Sequence, residues 1–593
     1  MPNPNGSFQG ATEIIPGVYT YSNVSGATLA TPPTTPPLVY IGYGYGLKPL
    51  TPTTFTSSQG LLNALRGGPA STYVTPMTNP SSELPGAGQI TFISVGGNTQ
   101  SSANLVNSSA STVLTLLSNV YGIPANLFQY EVTSGSVGGI NLTLFDGYTS
   151  TTAVGNNLGI PFQLAYTGTA SGVTFSVTAS GGVATNFTTT SPNAGESLNI
   201  PLGPANYATT SAIVQYLNGT GFYVAVGVSD TGGNLPSTSL DIVSSVSLPA
   251  PVSGADQFVN VTAILPDIAY WVNQYSGLAT ASIPSGIVSG ASELPIDVPL
   301  THFTGATSTP PVTSDYANGF NVALTVPAWV VFADSNASAI MALGEQHVNT
   351  ANSITERKFR RFVTGSSIGD TIATSQTNAR NLNNQAVTFV APGIYQTSVS
   401  TGSNTLYSGL YAAAMIAGMM CGAPINTPLT AKTLTGTGLE FNPTTSQINA
   451  MQTSGIMALR IPHSTGIPTI CMDLTTWQNN NNGANMFNQQ VACNFYLQLA
   501  LISGLNIYVG GIAAGSASTL AKAKQRAMYI LNSQLYSSTN PTGILASWDP
   551  TSLSLSYNGS TRTMAVSVNV VLVNEVVFIN VTTNILPLTS SIP

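Results

Sequence analysis

Apolar and polar residues alternate with period two through the middle of the chain. Gly172-Val-Thr-Phe-Ser-Val-Thr178 is a clear instance and predicts a half-buried antiparallel strand. Turn signals punctuate the same region: Gly181-Gly182, Asn193-Ala-Gly195, Asn218-Gly219 and Gly232-Gly-Asn234. Residues 131–320 therefore read as all-β, one or two small domains. Helical spacing is concentrated elsewhere. Ser58–Leu65 opens on a Ser cap and closes at Gly67-Gly68; Ser338–Ile354 carries Met341, Leu343, His347 and Val348. Ser518–Leu535 is the strongest helical pattern, with Leu520, Ala523, Ala527, Ile530, Leu531 and Leu535 near one face. Two uncharged windows, Leu406–Ile425 and Phe495–Gly515, contain Ser, Gly and Tyr. They read as a buried helix and a buried strand or helix rather than membrane spans. Both chain ends carry strand patterns without an obvious partner: Ala11–Tyr21 near the start, then Ala565–Val573 and Val576–Val581 near the end. In the former of the last two, Val566, Val568, Val570 and Leu572 share a face.

Composition sharpens this reading. The 593 residues imply roughly three to five domains. Only 6% of them are charged while 43% are hydrophobic, which excludes ordinary charge-rich disorder. Three cysteines cannot form a disulfide scaffold, and a net charge of −7 disfavours a nucleic-acid partner. The N-terminus has neither the basic nor the apolar region of a secretion signal. Charge is unevenly spread. Residues 67–356 contain no Lys or Arg and fourteen acids, whereas residues 357–593 carry eleven of the thirteen basic residues and five acids. Such asymmetry bears on partners and solubility rather than on fold.

Little in the chain supports catalysis. His302, His347 and His463 lie far apart in sequence, none at metalloprotease spacing. Gly42-Tyr-Gly-Tyr-Gly46 lacks the spacing of a dinucleotide loop. Cys421, Cys471 and Cys493 read as buried thiols, and Asp334 and Asp473 as cap or loop residues rather than a carboxylate pair. No catalytic residue, metal site or cofactor is expected.

The order of several segments resembles the sheath proteins of contractile phage tails and related contractile injection systems. Pro16-Gly-Val-Tyr19 is similar to the opening element of that family. Val39-Tyr-Ile-Gly-Tyr-Gly44, Lys48-Pro49 and Pro52-Thr-Thr-Phe-Thr-Ser57 resemble its next stretch, and Leu61–Gly68 its short helix with a Gly-Gly ending. Ser408–Lys432, Ile448–Arg460 and Val566–Ile579 resemble later elements, in the family's order.

The resemblance implies an α+β multidomain chain with extended terminal arms and a mixed α/β core that includes a subtilisin-like sheath domain without proteolytic function. The implied plan is an N-terminal linker arm over 1–30, the first part of the core over 31–130, an inserted β-rich outer region over 131–320 and the subtilisin-like domain over 321–487. An inner domain facing the tube follows over 488–560, then a C-terminal strand arm over 561–593. It further implies a helical homopolymer around a tail tube protein, with baseplate and tail terminator partners. Nucleic acid contact and stable membrane insertion are not expected. Such a protein would be assembled in the host cytoplasm and reside in the virion tail, where contraction drives the tube through the host envelope. In such a polymer Ile15, Pro16, Gly17, Val18 and Tyr19, together with Val566, Val568, Val570 and Leu572, would add strands to neighbouring subunits. A contact that must slide is expected to be sparse and charge-based. Lys522 and Arg526, at i and i+4, are therefore expected to face the tube, with Lys524 at the margin and Arg357, Lys358, Arg360 and Arg361 as a second patch. Competing readings are a surface-layer or fibre protein and a secreted subtilisin-like hydrolase.

Overall fold

The computed structural model describes residues 36–575, apart from 354, 398–401, 464–465, 481–482, 510–514 and 561, together with two short paired strands, Gly6–Phe8 and Ala11–Glu13. The chain divides into two compact units: one formed by residues 1–44, 49–95 and 311–593, the other by 45–48 and 96–310.

The first unit is built on an eight-stranded sheet. Its order is Thr469–Ile470, Ile456–Arg460, Val387–Ala391, Arg361–Gly365, Val330–Ala333, Leu38–Gly42, Ile90–Ser94 and Thr53–Phe55. The six inner strands run parallel and the two edge strands antiparallel. Inner strands such as Leu38–Gly42, Ile90–Ser94 and Val387–Ala391 are buried at every position, as parallel strands covered on both faces must be. This is why they read as continuous apolar runs instead of alternating ones. The chain winds outward in one direction from Leu38–Gly42 to Ile90–Ser94 and in the other from Val330–Ala333 onward. The crossovers in the two directions carry helices that pack on the sheet.

Helices Thr313–Ala323, Ser338–Ala351 and Ile372–Leu382 pack in sequence along the sheet, and Gly409–Gly422 packs on four of its strands and on the short helix Val74–Thr78. Gly409–Gly422 is buried almost throughout, which accounts for the first uncharged window. Its Gly418 lies so close to the Met77 carbonyl that an added Cβ would stand 2.2 Å from the oxygen. The second window, Phe495–Gly515, lies up to Tyr508 in the helix Asn488–Leu505 and the turn that extends it, and its residues 510–514 lie outside the described residues. By length and composition alone this helix could cross a membrane, but 61% of its most apolar window is buried inside the protein. Sequence signals located several elements closely. Ser57 Oγ accepts from the Gly60 amide at 3.1 Å to start Ser58–Leu65, and Arg66 in the left-handed region ends it. The third patterned helix spans Ala517–Asn532, capped by Ser516.

The second unit begins and ends on its own small ladder, Gly97–Asn98 paired with Ser308–Thr309. It therefore starts before residue 131, the expected start of the inserted region, and ends before residue 320, its expected end. Residues 96–130 already supply the Gln100–Val106 and Thr112–Tyr121 strands, whereas Thr313–Ala323 packs on the parallel sheet. Two cores lie inside it. One gathers residues from Ala103 to Ile160 and from Ile264 to Ala306; the other gathers Phe162 to Ala263. The second core is thus inserted within the first. Two helices, Thr210–Gly219 and Ile264–Trp271, break the all-β expectation by filling one core each. Asp267 ties the crossing: its buried carboxylate accepts from the Gly159 amide, Ser229 Oγ and Thr231 Oγ1 at 2.7–2.8 Å. The Gly181-Gly182 pair, with both φ positive, turns the Thr174–Ser180 and Val183–Thr190 hairpin.

Candidate functional site

Helix Ala517–Asn532 buries Ala523, Ala527, Ile530 and Leu531 against its own unit. Gly504 of Asn488–Leu505 admits the Ile530 side chain, and Gly515 admits the Tyr557 ring, so the helix sits close to both neighbours. Lys522, Lys524 and Arg526 are all exposed on the remaining surface. The Arg526 guanidinium lies 5.9 Å from the centre of the Tyr529 ring, itself 66% exposed. The three cations make no ion pair among the described residues.

The expected second basic patch does not form. Arg360 is 2% exposed and donates to the carbonyls of Ala323 and Val326 at 2.5 Å each, closing the end of the Thr313–Ala323 helix. Arg361 begins an inner strand, is 4% exposed, and stacks 5.4 Å from the centre of the Trp329 ring. Lys358 pairs with Glu356 at 2.5 Å. A run of four cations in five positions read as a surface because sequence alone does not show that its end enters the parallel sheet.

Of the arm residues, Ile15, Pro16, Gly17, Val18 and Tyr19 lie outside the described residues. At the other end, the strand-patterned residues find partners in their own chain. Thr563–Ser567 pairs with Ser554–Asn558, setting Val566 opposite Leu555. Val570–Leu572 pairs with Leu545–Trp548, setting Val570 opposite Trp548 and Leu572 opposite Leu545. Val568 stands between the two ladders. Val570 and Leu572 share a buried face while Val571 is half exposed, and Val566 and Val568 are only partly buried. The Asn558-Gly559 turn signal and the alternating Ser554–Asn558 run could have revealed the hairpin. Both ladders are two-stranded, and the Val576–Val581 run lies outside the described residues.

The groups with potential chemistry are spent on structure. His347 is buried, its Nδ1 3.1 Å from the Phe320 carbonyl, and burial with nearby Arg360 pushes its pKa down to about 3. Burial pushes the thiols of Cys421 and Cys493 up to about 12. Among the described residues no group of three or more His, Cys, Asp or Glu could hold a metal ion. In a doubly wound sheet, ligands bind where the strand order reverses. Here that point lies between Leu38–Gly42 and Val330–Ala333, and its polar groups satisfy one another. Asp334 accepts from the Tyr43 amide at 2.7 Å and from the Tyr316 hydroxyl at 2.6 Å. Asp334 and Asp473 both lie in loops, as expected, Asp473 buried and Asp334 partly exposed, and desolvation raises each to about 6.

No family model matches the chain. A tail sheath protein of Bacillus phage SP01 is 25% identical over 485 residues, covering 80% of each chain. The solved sheath tail protein of Listeria innocua matches with a TM-score of 0.57 at 11% identity, over 94% of this chain and 97% of that one. The sheath tail protein of Desulfitobacterium hafniense matches with a TM-score of 0.50 at 11% identity, over 93% and 98%. The similarity carried by the sequence motifs extends over most of the chain in sequence, and the fold likeness over nearly all of it.

Proposed function

We propose that this chain is the repeating subunit of a contractile tail sheath, polymerising helically around an inner tube and contracting to drive that tube through the host envelope. The observation that carries this reading is the similarity to a phage tail sheath protein over 80% of both chains, with a sheath-like fold along nearly the whole length. The role is structural and its place is the virion tail, after assembly in the host cytoplasm. The similar proteins lend nothing to the surface-layer, fibre or hydrolase readings. A subtilisin-like relationship of the α/β core belongs to the same proposal, supported by a parallel, doubly wound sheet.

In the polymer, Ile15–Tyr19 and the segment around Val566–Leu572 join neighbouring subunits by strand addition. The two C-terminal ladders, each with only two strands, offer edges for it. Lys522 and Arg526 face the tail tube, with Lys524 at the margin. Residues 96–310, free of Lys and Arg, lie outermost. Tube, baseplate and terminator proteins are the partners. Negative-stain imaging of the purified protein tests the whole: long tubes with a helical surface are expected, and monodisperse particles with peptidase activity would overturn it. Deleting residues 1–21 should leave folded protein that no longer polymerises; normal tubes from the truncated chain would remove the N-terminal arm from assembly.

A further inference from the structure

The strand Val570–Leu572 and the residues after it are fastened to the α/β unit through a buried polar cluster. The Thr430 hydroxyl accepts from the Asp473 amide at 2.9 Å and donates to Oε1 of Glu575 at 2.8 Å. Asp473 Oδ2 accepts from the Leu429 amide at 3.3 Å. The second oxygen of each acid, Asp473 Oδ1 and Glu575 Oε2, is buried and without a partner among the described residues, as are Nε of Arg361 and Oε1 of Gln489. A cavity of about 10 Å³, near the size of one water, is lined by Arg361, Asp473, Asn488 and Gln489. Nearby, Gln490 donates to Asn574, and the Val573 amide donates to the Ile544 carbonyl at 3.0 Å.

The charges around this cluster are few. Arg361 comes from the sheet, Asp473 from the loop after Thr469–Ile470, and Glu575 from the docked segment. The helices contribute neutral groups: Cys421 from Gly409–Gly422, and Cys493 and Tyr496 from Asn488–Leu505, all pushed upward by burial. Cys471, two residues before Asp473, is likewise pushed up to about 11. Lys432, near Thr430 in sequence, is engaged by Glu83 at 3.2 Å. Arg361 acts on Asp473 alone, and Glu575 adds a second carboxylate beside Asp473. The pair therefore carries a surplus negative charge in a largely desolvated place, and a single proton removes it.

We propose that Asp473 and Glu575, neighbours held by Thr430 through the Asp473 backbone amide and the Glu575 carboxyl, together hold one proton when Val570–Glu575 is docked, so that the fastening of this segment is proton-linked. Burial raises Glu575 to about 7 and Asp473 to about 6. A carboxyl raised on docking favours the docked state at low pH, and that contribution is lost as pH rises through the raised value. The segment is therefore tight in mild acid, loosens as pH rises toward neutrality, and changes little above it. This device acts within one subunit and does not depend on the sheath reading.

The test is hydrogen–deuterium exchange on the soluble full-length chain between pH 5.5 and 8.5, corrected for intrinsic exchange, with Leu38–Gly42 as internal reference. Opening of Val570–Val573 is expected to rise with pH by up to about tenfold per unit below neutrality, less because Glu575 is partly exposed, and to level off above about pH 7. Glu575→Gln, neutral and of the same shape, should flatten the profile and keep the segment closed. Asp473→Asn should do the same, and serves if Glu575→Gln does not fold. A wild-type profile already flat, or a variant that keeps the wild-type slope, would overturn the proposal.

Discussion

The Tyr316 hydroxyl donates a 2.6 Å hydrogen bond to Asp334, joining the helix that follows the second unit to the point where the sheet reverses its winding. Tyr316→Phe strips one partner from a partly buried carboxylate and should cost about 1–3 kcal/mol in urea unfolding. Asp334 is raised by burial from 3.8 to about 6. Its contribution is therefore complete below pH 3.8 and is lost as pH rises to about 6. The loss from Tyr316→Phe should accordingly be larger at pH 7 than at pH 4. An equal loss at both would detach the pair from this titration.

Gly418 offers a packing test. Ala there would press on the Met77 backbone, and overpacking costs on the order of 1–3 kcal/mol. Gly219, at the end of its helix with open space around its Cβ position, is the control; Ala there should be neutral or slightly stabilising. Thermal unfolding of the two variants should separate them clearly.

Arg360→Met removes both donors from the carbonyls of Ala323 and Val326. Charge-assisted hydrogen bonds of this kind are worth about 1.5–3 kcal/mol, so a loss in that range or above is expected by denaturant unfolding. Lys358→Ala, at a pair more than a third exposed, should cost under about 1 kcal/mol. If the two losses match, the burial of Arg360 does not set its role.

Lys522→Glu with Arg526→Glu alters two exposed side chains and should shift stability by less than about 0.5 kcal/mol. Tubes of sheath alone should form, while assembly around the inner tube fails. Weak exposed pairs repeated along a polymer add up and are screened by salt, so wild-type co-assembly should weaken as ionic strength rises. Normal co-assembly of the double variant would take this helix away from the tube.

Local signals were read well and long-range ones poorly. Ser57, the Gly181-Gly182 turn and the face of Ala517–Asn532 are set by neighbours a few residues away, so the sequence displays them. The fate of Arg360 and Arg361 depends on a sheet assembled from residues 38–94 and 330–470, which no short window contains. The same holds for Val566 and Leu572, whose partners lie on strands upstream that had not been recognised. One further feature is not displayed locally: Asp334 and Asp473 sit in loops, as their sequence contexts suggest, yet their carboxylates accept from amides and hydroxyls distant in sequence.

The ladder joining Gly97–Asn98 to Ser308–Thr309 bears on ancestry. Where entry and exit run side by side, everything between them can be lost, exchanged or enlarged in one recombination event while the parallel sheet keeps its route. The core nested at residues 162–263 repeats the arrangement on a smaller scale. Lineages descended from this protein should accordingly differ by whole blocks at these two seams and preserve the strand order of the sheet that carries them.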